Sequence, residues 1–191
     1  MAVVDVEPSG TRQRLIDAAV ALFTRHSYAG TSLQMIADEL GFTKAAIYHH
    51  FRTREQLLAA VVEPMFAQLR TVVEAAEAQR SPRAGAERML RGYADIAVCN
   101  RGLVAVLAAD PSVATALQRH HDWSDLIARQ LRLLADVEPG PAGEIRAAMV
   151  FAGISGAVGP AWVQLDDRAL AEHLMDAGRR TLGLRTPRQS A

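Results

Sequence analysis

Apolar residues recur through most of the chain at the three-and-four spacing of an amphipathic helix. Leu15, Ala18, Ala19, Leu22 and Phe23 fall at i, i+3, i+4, i+7 and i+8, one stripe able to face a core, and predict a first helix over residues 11–26. Tyr28, Ala29 and Gly30 break it. Thr31 or Ser32 then caps a second helix, in which Leu33, Ile36, Ala37 and Leu40 repeat the spacing. Gly41 ends that helix, Phe42 plugs the corner, and Thr43 opens a short third helix over residues 44–50, closed by Phe51 and Arg52. Thr53, Arg54, Glu55 and Gln56 match a capping box and open a long fourth helix with Leu57, Leu58, Val61 and Val62. Pro64 lies inside it, where it removes a backbone donor and predicts a kink.

The helical pattern continues in the second half with clearer breaks. Residues 79–85 form a basic stretch with Pro82 and Gly85, read as a loop before a fifth helix over 86–99. Asp110 followed by Pro111 is an N-cap with proline at the first helical position. Residues 137–141 carry Pro139, Gly140 and Pro141 and make another break, followed by helices over 142–164 and 167–182. Residues 1–10 and 184–191 read as a flexible arm and a flexible tail. No segment alternates as a half-buried strand does. The fold class is therefore all-α, with an N-terminal three-helix domain over residues 11–56 and a C-terminal helical domain over 57–183.

Composition narrows the function classes. Lys plus Arg and Asp plus Glu both number 21, so the formal net charge is zero, and any contact with nucleic acid must come from a local arrangement of groups. The single Cys99 excludes an internal disulfide and fits a reducing cytoplasm. The N-terminus has no charged region followed by an apolar core, and charges interrupt the apolar runs too often for a membrane span. A cytoplasmic protein is expected.

The densest signal lies in residues 30–56. Two short helices joined by Leu40, Gly41, Phe42 and Thr43 make a helix-turn-helix, and the small Ala45 and Ala46 let the second helix enter a major groove without clash. Gly30 with Thr31, Ile36 with Ala37, Leu40 with Gly41, Tyr48, His50 with Phe51, and Arg54 before Glu55 give this stretch its character. With the helix before it, it resembles the TetR family of transcriptional regulators. Beyond residue 60 only length and helical character continue the resemblance. It implies a sequence-specific regulator of double-stranded operator DNA, a homodimer and a repressor, released by a small effector and using no cofactor; the shortage of charge among the large side chains of the second half points to a largely apolar effector.

On this chain the resemblance places Tyr48 and Arg54 on phosphates and Lys44 at a base-reading position, where an ammonium suits guanine O6 and N7. Gln34 occupies a second position used for base contacts, and it also completes a capping box with Thr31. The helix N-termini add their own chemistry: Thr31, Ser32 and Thr43 present hydroxyls beside free backbone N–H groups, where phosphate binds. His49 faces a phosphate or a base edge.

In the second half, Gly153, Gly156 and Gly159 recur every three residues. Small residues on one face let another helix approach closely. In TetR-like proteins the last two helices build a four-helix dimer interface, and tight packing inside one subunit is the alternative. The large side chains available to line an effector pocket are Met89, Tyr93, Ile96, Leu103, Leu107, Trp123, Ile127, Phe151 and Trp162. Other functions fit poorly. His49-His50 and His120-His121 are adjacent pairs, whose side chains point about 100° apart on a helix instead of sharing a face as metal ligands at i, i+4 do. The run Gly153-Ile154-Ser155-Gly156 lacks the spacing of a nucleophile elbow. No catalytic residue is expected.

Overall fold

The computed structural model describes residues 8–159 and 164–184, in ten helices and without a strand among them. The N-terminal unit is built from α1 (Pro8–His26), α2 (Leu33–Glu39), α3 (Lys44–His50) and the start of α4 (Arg54–Glu77). Its core is the predicted stripe. Leu15, Ala19, Leu22 and Phe23 cluster with Ile36 and Ala37 of α2, Ile47 of α3, and Leu57 and Leu58 of α4, all buried. α1 begins at Pro8, so Pro8 to Gly10 are helical and not part of an arm; residues 1–7 lie outside the described residues.

The corner between α2 and α3 has a local cause. Gly41 adopts a left-handed φ of +66°, its N–H donates to the Asp38 carbonyl at 3.1 Å, and the Phe42 N–H donates to the Ala37 carbonyl at 2.8 Å. This is the paired bonding that lets a helix stop at a glycine. α4 then runs through Pro64 as one helix into the C-terminal domain.

That domain comprises the rest of α4, α5 (Pro82–Cys99), α6 (Arg101–Ala109), α7 (Pro111–Gln118), α8 (His121–Ala135), α9 (Pro141–Ala157) and α10 (Asp167–Leu182). α5 is its centre, packed against α4, α8 and α10. Two glycines make this possible: a Cβ on Gly92 would collide with Val72 of α4, and one on Gly178 would collide with Leu90 of α5. Arg179 adds a forked ion pair from α10 to Glu87 of α5. α5 starts at Pro82, not at residue 86, because Ser81 caps it by accepting the Ala84 N–H at 3.3 Å, with proline at the first helical position. α9 ends at Ala157 instead of residue 164, and Trp162, a candidate pocket residue, lies outside the described residues. α10 closes on Gly183, and Leu184 is buried; residues 185–191 of the expected tail lie outside the described residues. Among the described residues no single helix is long and apolar enough to cross a membrane.

Candidate nucleic-acid interface

α3 is seven residues long and Ile47 is its only buried side chain. Ile47 anchors the helix, and Lys44, Ala45, Tyr48 and His49 are left exposed around it. Thr43 caps the helix by accepting the Ala46 N–H at 3.2 Å, and Ser32 caps α2 by accepting the Met35 N–H at 3.2 Å. Both caps are themselves exposed, so hydroxyls and first-turn N–H groups lie on the same side of the structure as polar solvent. The Lys44 ammonium sits 5.7 Å from the centre of the Tyr48 ring, which is 42% exposed. Gln34 is exposed too, with its amide donating to Asp38 at 2.7 Å; it closes no box with Thr31, because the cap is Ser32.

Two predicted phosphate contacts have other work. Thr31 is 1% exposed, and its hydroxyl donates inward to the Ser27 carbonyl at 2.8 Å, with the Leu22 carbonyl at 3.3 Å. Arg54 is half-buried at the start of α4. Its Nη1 donates to the carbonyls of Tyr28 (3.2 Å), Ala29 (2.9 Å) and Thr31 (3.2 Å), and its guanidinium lies 4.5 Å from the centre of the Tyr28 ring. Arg54 is thus a clamp on the α1–α2 loop through Nη1, one of the three nitrogens of a guanidinium that carries five N–H donors.

The same loop is held from the other domain. Asp110, between α6 and α7, is buried and accepts the Ala29 N–H at 2.7 Å through Oδ2, while Oδ1 takes the Ser112 N–H at 3.0 Å and the Ser112 hydroxyl at 2.6 Å. Burial alone would raise its pKa, but the hydrogen bonds from Ser112, Ala29 and Tyr28 outweigh it and hold the carboxyl below its ordinary value. The sensor-side corner and the DNA-side loop therefore share one charge-assisted bond.

Sequence reasoning passed over three cations here. Arg12 and Arg14 of α1, both exposed, lie over Phe51 and Phe42 at 5.3 and 4.9 Å, one at each end of α3. Arg52, also exposed, follows α3 directly. The periodic reading of α1 attended to its apolar stripe, and nothing local in the sequence ties its arginines to α3.

The described residues proposed for an effector pocket are packed in or against the core. Met89 and Ile96 are buried in the core, and Leu103, Leu107 and Ile127 are half-buried against it. Tyr93 stacks on Phe151 at 5.4 Å, and its hydroxyl meets Ser155 Oγ at 2.5 Å. Trp123 stacks on Phe66 of α4 at 5.0 Å. An open cleft of about 830 Å³ lies elsewhere, where the end of α1 (Phe23, Ser27) faces α6 (Arg101, Ala105) and Asp110; none of these aromatic and aliphatic candidates lines it. The glycine series also divides. A Cβ on Gly153 or Gly156 would meet nothing within 4 Å, whereas one on Gly159 would collide with Ala105 of α6. Gly159 therefore serves packing inside the subunit, and the open face of α9 is Ile145, Met149, Ala152, Gly153 and Gly156, with Ile145 61% and Met149 60% exposed.

Residues 15–61 match the profile of the family described as bacterial regulatory proteins, tetR family. Over that segment the chain is similar to this family. It is similar to the HTH-type transcriptional regulator LmrA of Bacillus subtilis, 28% identical over 134 residues that cover 64% of this chain and 71% of that one. The probable acrEF/envCD operon repressor of Escherichia coli is 47% identical over 47 residues, 25% of this chain and 21% of the relative. For most such relatives the match spans less than two fifths of their length. The fold continues the likeness through the whole TetR-family chain. A TetR-like regulator from Rhodococcus sp. RHA1 superposes with a TM-score of 0.66 at 21% identity, covering 94% of this chain and all of that one. FadR of Bacillus subtilis, solved in complex with stearoyl-CoA, superposes at 0.60 with 17% identity, covering 87% and 96%. Residues 15–61 are thus similar to the DNA-binding module of bacterial transcriptional regulators.

Proposed function

We propose that this regulator is a homodimeric repressor that reads an operator through α3 and leaves it when a small, largely apolar molecule binds the C-terminal domain. The observation that carries the DNA-reading half is α3 itself: one buried anchor, Ile47, and an exposed Lys44, Ala45, Tyr48 and His49. Lys44 reads a base edge, Ala45 keeps the approach clear, and Tyr48, His49, Ser32, Thr43 and Gln34 hold register on phosphates or neighbouring edges. Arg12, Arg14 and Arg52 add cations beside α3.

A seven-residue helix covers only a few base pairs, so useful specificity needs two half-sites at fixed spacing. The face of α9 supports pairing of two copies. α9 leaves Ile145 and Met149 bare beside Gly153 and Gly156, an exposed apolar face that a partner helix could approach closely. With chromosomal DNA as its partner, such a protein works in the cytoplasm.

Release follows from the shared loop. Asp110 on the sensor side and Arg54 at the start of α4 both hold the α1–α2 segment, so a shift of α4 or of the α6–α7 corner moves α2 and α3 with it. A displacement of a few Å breaks the fit of two recognition helices to successive grooves. A coupling of about 1–3 kcal/mol changes affinity about 5- to 150-fold. FadR, of the same fold, binds stearoyl-CoA, and a mostly apolar effector is proposed here by that likeness. The test is sedimentation of the protein with and without a fragment from a random-sequence selection. The account expects two copies on one inverted repeat, and a monomer bound to a single unrepeated site would refute it.

A further inference from the structure

α8 buries a stripe of Trp123, Leu126, Gln130 and Leu134, at i, i+3, i+7 and i+11, all 5% exposed or less. Three of these are what a core asks for. Gln130 is not: it is fully buried, and neither its Nε2 nor its Oε1 has a hydrogen-bond partner. Most other buried polar side chains among the described residues behave differently. Thr31 and Asp110 are bonded, and the Tyr93 hydroxyl meets Ser155. Tyr28, whose hydroxyl also lacks a partner, at least carries the Arg54 guanidinium over its ring. An amide brings two donors and an acceptor into the core, and leaving them unmet works against folding. A leucine or methionine would fill the same volume without that cost, so packing alone gives no reason for an amide at this position.

We infer that Gln130 is the polar anchor of the effector site, and that the ligand it takes is a small, mostly apolar molecule bearing a paired acceptor and donor, as a primary or cyclic amide does. The ligand's carbonyl accepts from Nε2 and its N–H donates to Oε1. The inference rests on the effector-controlled reading above and names the chemistry of that site. The surroundings suit such a molecule: Trp123, two turns before Gln130 on the same stripe, stacks on Phe66 of α4, and α8 packs against α4, α5 and α9. Gln130 is fully buried, so a ligand reaching it must part α8 from the helices packed on it, α4 among them. α4 is the helix whose first residue, Arg54, clamps the DNA-side loop. Entry at Gln130 therefore acts on the element that reaches the operator.

Thermal unfolding of the full-length protein tests this with three probes of one shape at millimolar concentration. Benzamide carries both acceptor and donor, acetophenone the acceptor alone, and ethylbenzene neither. Wild type should be stabilised most by benzamide, less by acetophenone and least by ethylbenzene. Gln130→Met should raise the midpoint of the unliganded protein by several degrees and erase the ranking, and Gln130→Leu should do the same. The inference is overturned by benzamide shifting the wild type no more than ethylbenzene, by a ranking that survives in either variant, or by a fall of the unliganded midpoint in both. No DNA enters this measurement, so a wild type that binds no operator would sink the regulator reading alone. Benzamide binding that leaves operator affinity unchanged would keep the site and sink its role as an effector site.

Discussion

The two ends of α4 lie in regions that treat polar groups in opposite ways. At its start, Arg54 satisfies three loop carbonyls, Thr31 turns its hydroxyl inward, and Asp110 closes the same loop from the far side. The chemistry left over is on the outside, on a short helix held by Ile47. At its other end α4 packs against α8, through Phe66 on Trp123 and an ion pair from Glu77 to Arg129. There an amide is buried without a partner, and across the domain α9 shows two large apolar side chains to solvent. A region finished within one chain has its interior bonds made and its reactive surface exposed. A region whose contacts come from other molecules, a second copy or a ligand, shows unmet groups until they arrive.

The largest effect is expected where the unfinished region is denied its partner. In a two-fold interface Met149 of one copy lies near the same region of the other, so Met149→Glu brings charges onto an apolar contact with nothing to pair them. The protein should sediment as a monomer, and operator affinity should fall about 100-fold, close to 3 kcal/mol. A dimer of unchanged strength would move the interface away from α9.

Next comes the finished region. Arg54→Ala removes a cation from three carbonyls and should lower stability by about 2–3 kcal/mol, with Arg54→Lys recovering only part, since a single ammonium lacks the planar fork. Denaturant titration measures this. The salt slope of operator binding should stay as in wild type. A slope smaller by about one unit with unchanged stability would instead place Arg54 on a phosphate.

A smaller effect, and one confined to alkaline solution, is expected inside the C-terminal domain. Burial pushes the Tyr93 phenol up to about 12, against an unfolded value of about 10. Its neutral form is favoured by the fold, so this contribution is complete below about pH 10 and is lost as pH rises toward 12. Tyr93→Phe should flatten the stability curve over that window. An equally steep decline in the variant would show that other groups carry it.

Local chemistry in this chain was legible from sequence, and chemistry that depends on distant partners was not. Thr43, Gly41 and, in its capping of α7, Asp110 act within a few residues of themselves, and these capping and turn roles could be read directly, whereas the bond from Asp110 to Ala29 could not. The task of Arg54 depends on a loop more than twenty residues away, so its family position suggested a phosphate. Gly153, Gly156 and Gly159 look alike in sequence, yet only Gly159 meets α6. The aromatic and aliphatic residues offered as pocket lining, Trp162 apart, are packed in or against the core, because spacing alone does not separate a pocket wall from a core. Ser81 with Pro82 carried a legible helix start that the neighbouring Gly85 obscured. Gln130 stood in plain view as a polar residue on an apolar stripe, but only the fold reveals that its bonds are unmet.

The central claim is that α3 reads the operator, with Lys44 at a base. Selection of binding sites from random-sequence DNA, run in parallel with wild type and Lys44→Ala, tests it most directly. The account predicts that both proteins select an inverted repeat of the same spacing. The variant should lose preference at one symmetric pair of positions, worth about 1–3 kcal/mol each. The same base preferences recovered with both proteins, or no repeat at all, would contradict it.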